Sequence, residues 1–240
     1  MNIAIILAGG IGERVGARIP KQFIEILGKP IIAYTIDKFE KNKNIDAIEI
    51  VCVKTYIPYL KSIVKDNSFS KVKWITNGGN TFQESVTNGV FYLKNKIKGD
   101  DIVIIHFGAS PFVEDEIIDD CISVCKMKGN AISTIPFFYL STFRDKEFPN
   151  EKAGEWVNRD SLACMNSPHA FKFDLIFNLY QQAIETGKIK DVEPHTTTLM
   201  HSMGYPIYFS KGSQTNIKIT TPDDLALFEK YVLGSTIKKD

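Results

Sequence analysis

The sequence predicts an α/β fold built on a doubly wound, mostly parallel sheet with a protruding β-arm. Short Ile- and Val-rich runs alternate with amphipathic segments through residues 2–136. The runs are apolar at successive positions, as strands covered on both faces are. A glycine-rich segment follows the first run directly, where an open α/β sheet places its ligand loops.

In order, Asn2–Leu7, Ala47–Val53, Lys71–Thr76, Asp101–Phe107 and Ala131–Pro136 read as strands. The helical patterns are Pro30–Asn42, Ile57–Lys65, Phe82–Lys94 and Glu114–Lys128. In the last, Ile117, Ile118, Cys121, Ile122 and Cys125 form one apolar stripe. This βαβ succession favours a parallel sheet. Phe137–Cys164 breaks the rhythm with an aromatic start and a polar stretch holding Pro149, Asn150 and Gly154; it reads as a hairpin arm. The helical Phe171–Thr186 follows. Thr221 as N-cap, Pro222 at the first helical position and Asp224 three after the cap open a final helix, with Ser235–Asp240 as a frayed tail. The whole chain reads as one domain, 1–240.

Composition narrows the partners. The 240 residues are 44% apolar and 24% charged, near the globular average, which excludes disorder and fibrous repeats. Lys and Arg total 29 against 28 Asp and Glu, a net charge of +1. Such a chain has no global field for gripping nucleic acid or an anionic membrane, although a local cation cluster can still bind a small polyanion. No apolar run approaches the length that spans a bilayer, and the apolar start lacks the basic region of a signal peptide. The four cysteines, Cys52, Cys121, Cys125 and Cys164, show no CxxC spacing and read as reduced thiols. The expected compartment is the cytoplasm.

The segment Leu7-Ala8-Gly9-Gly10-Ile11-Gly12-Glu13-Arg14-Val15-Gly16 lets backbone N–H groups approach a phosphate chain. It has neither P-loop nor dinucleotide-fingerprint spacing. Arg14 and Lys21 beside it suit a triphosphate. On its own the segment also reads as a glycine-rich turn with two solvated cations.

Leu7-Ala8-Gly9-Gly10-x-Gly12-x-Arg14-x-Gly16, Pro20-Lys21-Gln22-Phe23 and Gly28-Lys29-Pro30-Ile31 together resemble the signature of the methylerythritol-phosphate and ribitol-5-phosphate cytidylyltransferases. Gly78-Gly79 with Glu84-Ser85-Val86 and Asn88-Gly89 resembles the family's base-binding stretch. Asn166-Ser167-Pro168-His169-Ala170-Phe171 resembles its Gln-Thr-Pro-Gln-Ala-Phe, and Asn216–Leu225 its C-terminal motif. The four motifs occur in order over nearly the whole chain. The opening glycines and Pro-Lys-Gln-Phe are closer to the polyol-phosphate branch.

The resemblance implies a Rossmann-like sheet of the nucleotide-diphospho-sugar transferase type and transfer of CMP from CTP to an alcohol phosphate, with Mg²⁺ bridging phosphates. It assigns Arg14, Lys21 and Lys218 to catalysis. It assigns Ala8, Gly9, Gly10, Gly12, Gly79, Ser85 and Gly108 to the nucleotide, and Ser110, Arg159, His195 and Thr220 to the acceptor; metal ligands are not assigned. The arm at 137–164 implies a homodimer.

The chain departs from the family where the family has His-Asp-Ala-Ala-Arg-Pro or its Val variant. Here stands His106-Phe107-Gly108-Ala109-Ser110-Pro111, so Phe107 replaces a carboxylate and Ser110 an arginine. Phe82 replaces a further arginine, and Pro194-His195 a Thr-Asp pair. Three readings follow: a phosphorylated polyol or sugar alcohol as a different acceptor; methylerythritol phosphate, as in the isoprenoid branch; or a nucleotide-binding protein without catalysis. His106 and His195 are candidates to titrate near neutrality.

Overall fold

The structure, a computed structural model, describes residues 1–10 and 19–237. In chain order the strands are β1 (Asn2–Ala8), β2 (Glu25–Ile26), β3 (Lys29–Pro30), β4 (Ala47–Cys52), β5 (Val72–Asn77), β6 (Ile102–Phe107) and β7 (Asn130–Pro136). They continue with β8 (Thr142–Arg144), β9 (Ala153–Trp156), β10 (Ala163–Lys172) and β11 (Phe209–Lys211). The helices are α1 (Ile31–Lys41), α2 (Ile57–Asp66), α3 (Phe82–Tyr92), α4 (Asp115–Lys128), α5 (Phe173–Glu185), α6 (Thr196–Ser202) and α7 (Pro222–Ile237).

The main sheet runs β11-β7-β10-β6-β1-β4-β5. Every described neighbour pair is parallel except those of β10, which lies antiparallel to both β6 and β7. This is the mostly parallel, Rossmann-like sheet that the sequence predicts. Strand β1 shows why the runs read as apolar throughout. Ala4, Ile6 and Ala8 face one layer with α1, α2 and α4, while Ile3, Ile5 and Leu7 face the other with α3, α5 and α6. Each fully buried Ile contributes about 1.5–3 kcal/mol relative to exposure, so both faces matter.

Several expectations needed correction. Strand β5 forms the sheet edge and is only partly buried, with Lys73 exposed, so it is not apolar on both faces. Strand β10 departs from the sequence pattern, which ends the arm at Cys164 and starts the next helix at Phe171, whereas one strand runs Ala163–Lys172. Its Asn166, Ser167 and Pro168 hide the strand signal, and the pairing with β7 shifts register between Asn166 and His169. Helix α5 therefore begins at Phe173. The short elements α6 and β11 and the β2–β3 hairpin also escaped the pattern. That hairpin turns at Leu27 (φ 51°) and Gly28 (φ 74°), both left-handed.

The arm is a hairpin, β8 paired antiparallel with β9. Helix α7 opens as anticipated: Thr221 Oγ1 accepts from the Asp224 N–H at 3.3 Å, and Asp224 Oδ2 accepts from the N–H groups of Thr220 and Thr221 at 2.8 Å each. The helix continues through Ile237, past the expected start of fraying.

Glu49 lies inside the sheet on β4, and Thr76 Oγ1 donates to its Oε1 at 2.8 Å. Burial, partly offset by this bond, raises the carboxyl pKa to about 8. It is therefore neutral in the fold at pH 7 and ionised in the unfolded chain. Its contribution to stability is present below about pH 4.5 and is lost as pH rises toward and through 8. Glu49→Gln is expected to remove this loss, so the variant gains Tm over the parent between pH 5 and 8. Parallel Tm curves over that range would refute the assignment.

Candidate active site

The parallel strands end level. Leu7 pairs with both Val51 and Phe107, and Cys52 pairs with Asn77, so the loops after β1, β4, β5 and β6 leave one edge of the sheet. Strand order reverses around β1, and the crevice at such a reversal is where open α/β sheets bind ligands.

Glycines form the floor of this crevice. A Cβ on Gly9 would stand 2.8 Å from Ser85 Oγ, and a Cβ on Gly78 would stand 3.2 Å from the Gly9 Cα. The two backbones thus meet with only the Ser85 hydroxyl between them. That hydroxyl accepts from the Gly79 N–H at 3.0 Å. Thr81 caps α3 by accepting from the Glu84 N–H at 3.0 Å, while Glu84 Oε2 accepts from the Asn80 N–H at 2.7 Å. Buried Gln22 fixes the other side. Its Nε2 donates to the carbonyls of Ala8 (2.8 Å) and Gly10 (2.9 Å), holding the start of the glycine-rich segment. The Pro-Lys-Gln-Phe motif contained Gln22, but its role becomes visible only in these two bonds.

A cationic corner lies beside the floor. Lys21 Nζ donates to the Ile219 carbonyl at 2.7 Å, which brings it next to Lys218 in the chain. The Ile219 N–H donates to the Ala109 carbonyl at 2.8 Å, tying this segment to the loop after β6. Asn216 Nδ2 donates to the Ser167 carbonyl at 2.6 Å, and Asn166 Nδ2 donates to the Asn216 carbonyl. The two late motifs, some 50 residues apart, are therefore stitched together. Thr220 holds the same segment through its hydroxyl, which donates to the Lys218 carbonyl at 3.0 Å. Lys218 Nζ sits 3.4 Å from the centroid of the Phe107 ring.

The residues that depart from the family meet one another. Phe82 and Phe107 have ring centroids 5.8 Å apart, and Phe82 and His195 5.1 Å. His195 precedes α6 with its ring half-buried. Nothing in the sequence pattern signalled this aromatic run. His106 does not titrate near neutrality: burial lowers its pKa to about 4, with the Lys218 charge acting in the same direction. His169 is lowered to about 4 by burial, aided by His106, His195 and Lys218.

Other assigned residues stand differently. Gly12 and Arg14 lie outside the described residues. Gly108 spends its N–H on the Leu7 carbonyl (2.8 Å) and its carbonyl on Thr35 Oγ1 (3.0 Å), so it joins strand ends and keeps no backbone donor for a nucleotide. Ser110 is fully buried, and its carbonyl lies 2.9 Å from His106 Nε2, so its side chain forms no exposed acceptor contact. Arg159 is exposed in the arm, where its guanidinium donates to the Phe138 carbonyl at 3.3 Å. No three His, Cys, Asp or Glu side chains gather as a metal site among the described residues. Cys52, Cys121 and Cys125 are buried free thiols that burial pushes up to about 12.

The model of the 2-C-methyl-D-erythritol 4-phosphate cytidylyltransferase family matches residues 2–234. The chain belongs to this family. Among the family's proteins, the ribitol-5-phosphate cytidylyltransferase of Lacticaseibacillus paracasei is 36% identical over 97% of this chain and 98% of its own length. The 2-C-methyl-D-erythritol 4-phosphate cytidylyltransferase of Clostridium acetobutylicum is 37% identical over 99% of this chain and 100% of its own. The family fold agrees: the 4-diphosphocytidyl-2C-methyl-D-erythritol synthase structure from Anaerococcus prevotii superposes with a TM-score of 0.79, covering 97% of this chain and 98% of that one at 22% identity.

Gln22 offers a direct test of the floor. Gln22→Ala leaves two carbonyls without their donor, and a buried polar group that loses its partner costs about 1–3 kcal/mol. The urea midpoint is expected to fall accordingly. Gln22→Glu, which puts an acceptor against two carbonyls, is expected to fall at least as far. An unchanged midpoint in both variants would show that the clamp is not formed.

Proposed function

We propose that the chain transfers CMP from CTP to a phosphorylated polyol or sugar alcohol, giving a CDP-alcohol and pyrophosphate. The observation that carries this reading is the joining of Lys21 to the Lys218–Thr220 segment beside the Gly9–Gly78 floor. Membership of a cytidylyltransferase family supports it. The level strand ends supply a surface where backbone and ammonium groups meet a triphosphate.

In the reaction an oxygen of the acceptor phosphate attacks the α-phosphorus in line. A new phosphorus–oxygen bond forms as the bond to the β-phosphate oxygen breaks, and the pair of electrons leaves with pyrophosphate. The protein orients the phosphates and offsets charge that grows on them. Lys21, Lys218 and Arg14 are assigned to that charge. Gly79 and Ser85 are assigned to the small base pocket, with Gly9 and Gly10 lining the approach. Mg²⁺ is assigned to the triphosphate and enters with it, since Phe107 offers no ligating oxygen where the family has a carboxylate. The buried Ser110 places no cation at the family's arginine position, so the acceptor's phosphate is met by other groups. The reading places the protein in the cytoplasm; no helix among the described residues is long and apolar enough to cross a membrane.

The arm is assigned to a homodimer. Tyr139 (76% exposed), Leu140 (76%), Phe143 (63%) and Trp156 (68%) crowd onto this short hairpin and its entry. Concentrated apolar exposure of this kind favours a protein partner, and the family resemblance points to a second copy of the chain.

Two tests follow. CTP with Mg²⁺ is expected to raise Tm more than ATP or GTP does. Lys21→Ala and Lys218→Ala are expected to cut turnover roughly 10²–10³-fold, as loss of one transition-state charge contact does. The assay is pyrophosphate release across a panel of polyol, sugar and methylerythritol phosphates. Equal stabilisation by ATP, or full turnover in either variant, would sink the corresponding assignment. Light scattering is expected to show a dimer that Trp156→Glu shifts toward monomer; a monomeric parent protein would exclude the arm interface.

A further inference from the structure

We infer that Phe107 is a positioning residue for Lys218: its ring face holds the lysine ammonium at the mouth of the site, and Phe82, itself packed on His195, braces the ring. The inference rests on the reading of Lys218 as a phosphate contact.

Three observations converge. The Lys218 ammonium lies 3.4 Å from the Phe107 centroid, well within the range of a cation–π contact. Phe107 is half-buried at the end of β6, so the contact sits where the crevice opens. The ring is not isolated: Phe82 from the first turn of α3 packs against it, and His195 from the entry to α6 packs against Phe82. Three separate elements thus set the ring plane. Lys218 is itself held at its backbone, through the neighbouring Ile219 N–H to Ala109 and the Thr220 hydroxyl to its own carbonyl.

The physical consequence differs from that of an ion pair. A lysine side chain has four rotatable bonds and loses rotamer entropy when it must hold one geometry. A ring face fixes the ammonium through its quadrupole without contributing a formal negative charge of its own. The ring thus orients the cation without itself adding a charge that repels an incoming phosphate. A carboxylate at position 107 would orient the lysine too, but its charge would oppose the charge that grows on the α-phosphate. The aromatic position trades some strength of hold for a larger field at the phosphate.

The experiment combines turnover with a readout of the contact itself. Protein with ¹³C-labelled lysine is compared by NMR for the parent, Phe107→Leu and Phe107→Tyr, with Lys218→Arg identifying the resonance. The ε-methylene of Lys218 over a ring face is expected upfield of the other lysines, to return among them in Phe107→Leu and to stay shifted in Phe107→Tyr. In turnover, Phe107→Leu is expected to lower kcat roughly three- to thirtyfold, the range a half-buried cation–π contact supports, with the KM for CTP moving little. Phe107→Tyr is expected to recover most of that loss. An unshifted Lys218 resonance in the parent overturns the inference, as do equal losses in the Leu and Tyr variants or an unchanged kcat in Phe107→Leu. If the parent turns over no acceptor with CTP, the functional reading fails, and the resonance comparison alone decides the contact.

Discussion

The registration of strand β1 is the constraint on which the site depends. It lies mid-sheet between β6 and β4 and buries alternate side chains in two different layers. Ala4, Ile6 and Ala8 are small or compact against α1 and α4, whereas Ile3, Ile5 and Leu7 fill the opposite layer. A slip of one residue would exchange the two sets and place the wrong volumes in both layers. The same register sets Leu7 beside Phe107 and Val51, and so delivers Gly9, Gly78 and Phe107 to one edge. Packing far from the chemistry therefore fixes the geometry of the crevice.

The charges at that edge are supported from beneath by groups that stay neutral. His106 and His169 are both buried, and burial, aided by the Lys218 charge, keeps both imidazoles unprotonated well below pH 7. His106 has the Ser110 carbonyl 2.9 Å from its Nε2, so the loop after β6 is held by a bond that adds no charge. Asp224, close to this segment in sequence, turns its carboxylate oxygen to the N–H groups of Thr220 and Thr221. Its charge thereby secures the start of α7. The cations of this corner are themselves held, Lys21 by the Ile219 carbonyl and Lys218 against the Phe107 ring.

The sequence made the central strands legible because their Ile and Val residues are buried on both faces. Helix α4 was legible through its apolar stripe, and α7 through its Thr-Pro-x-Asp opening. Strand β10 was not legible, because Pro168 and its polar neighbours carry the strand through a register shift that no alternation pattern describes. At the site, the glycines and lysines were readable as motifs, and the resemblance placed them together. Gln22 was visible only as a motif letter, since its partners are backbone carbonyls that composition cannot reveal. Ser110 was misjudged from its motif position: the family's arginine position is occupied here by a small residue wholly inside the fold. Phe82, Phe107 and His195 stand far apart in the chain, and single-position reading treats each as a separate loss.

Their contact changes how those departures are weighed. Independent decay of a disused site would remove charged groups at scattered positions, with no reason for the replacements to touch. Here three replacements pack in sequence, His195 on Phe82 and Phe82 on Phe107, and the run ends beneath the ammonium of Lys218. Each ring needs its neighbour: Phe107 alone at a crevice mouth would expose an apolar face, and Phe82 without Phe107 would leave a gap at the start of α3. A charged group in place of Phe82 would set that charge against the Phe107 and His195 rings, with a desolvation cost unless a new partner formed. The three positions form one run of contacts, and that run ends at the ammonium of Lys218. Under the proposed function, a wall of this kind would offer few hydrogen-bond partners to a hydroxyl-bearing acceptor, while the cation it holds is the one assigned to the α-phosphate.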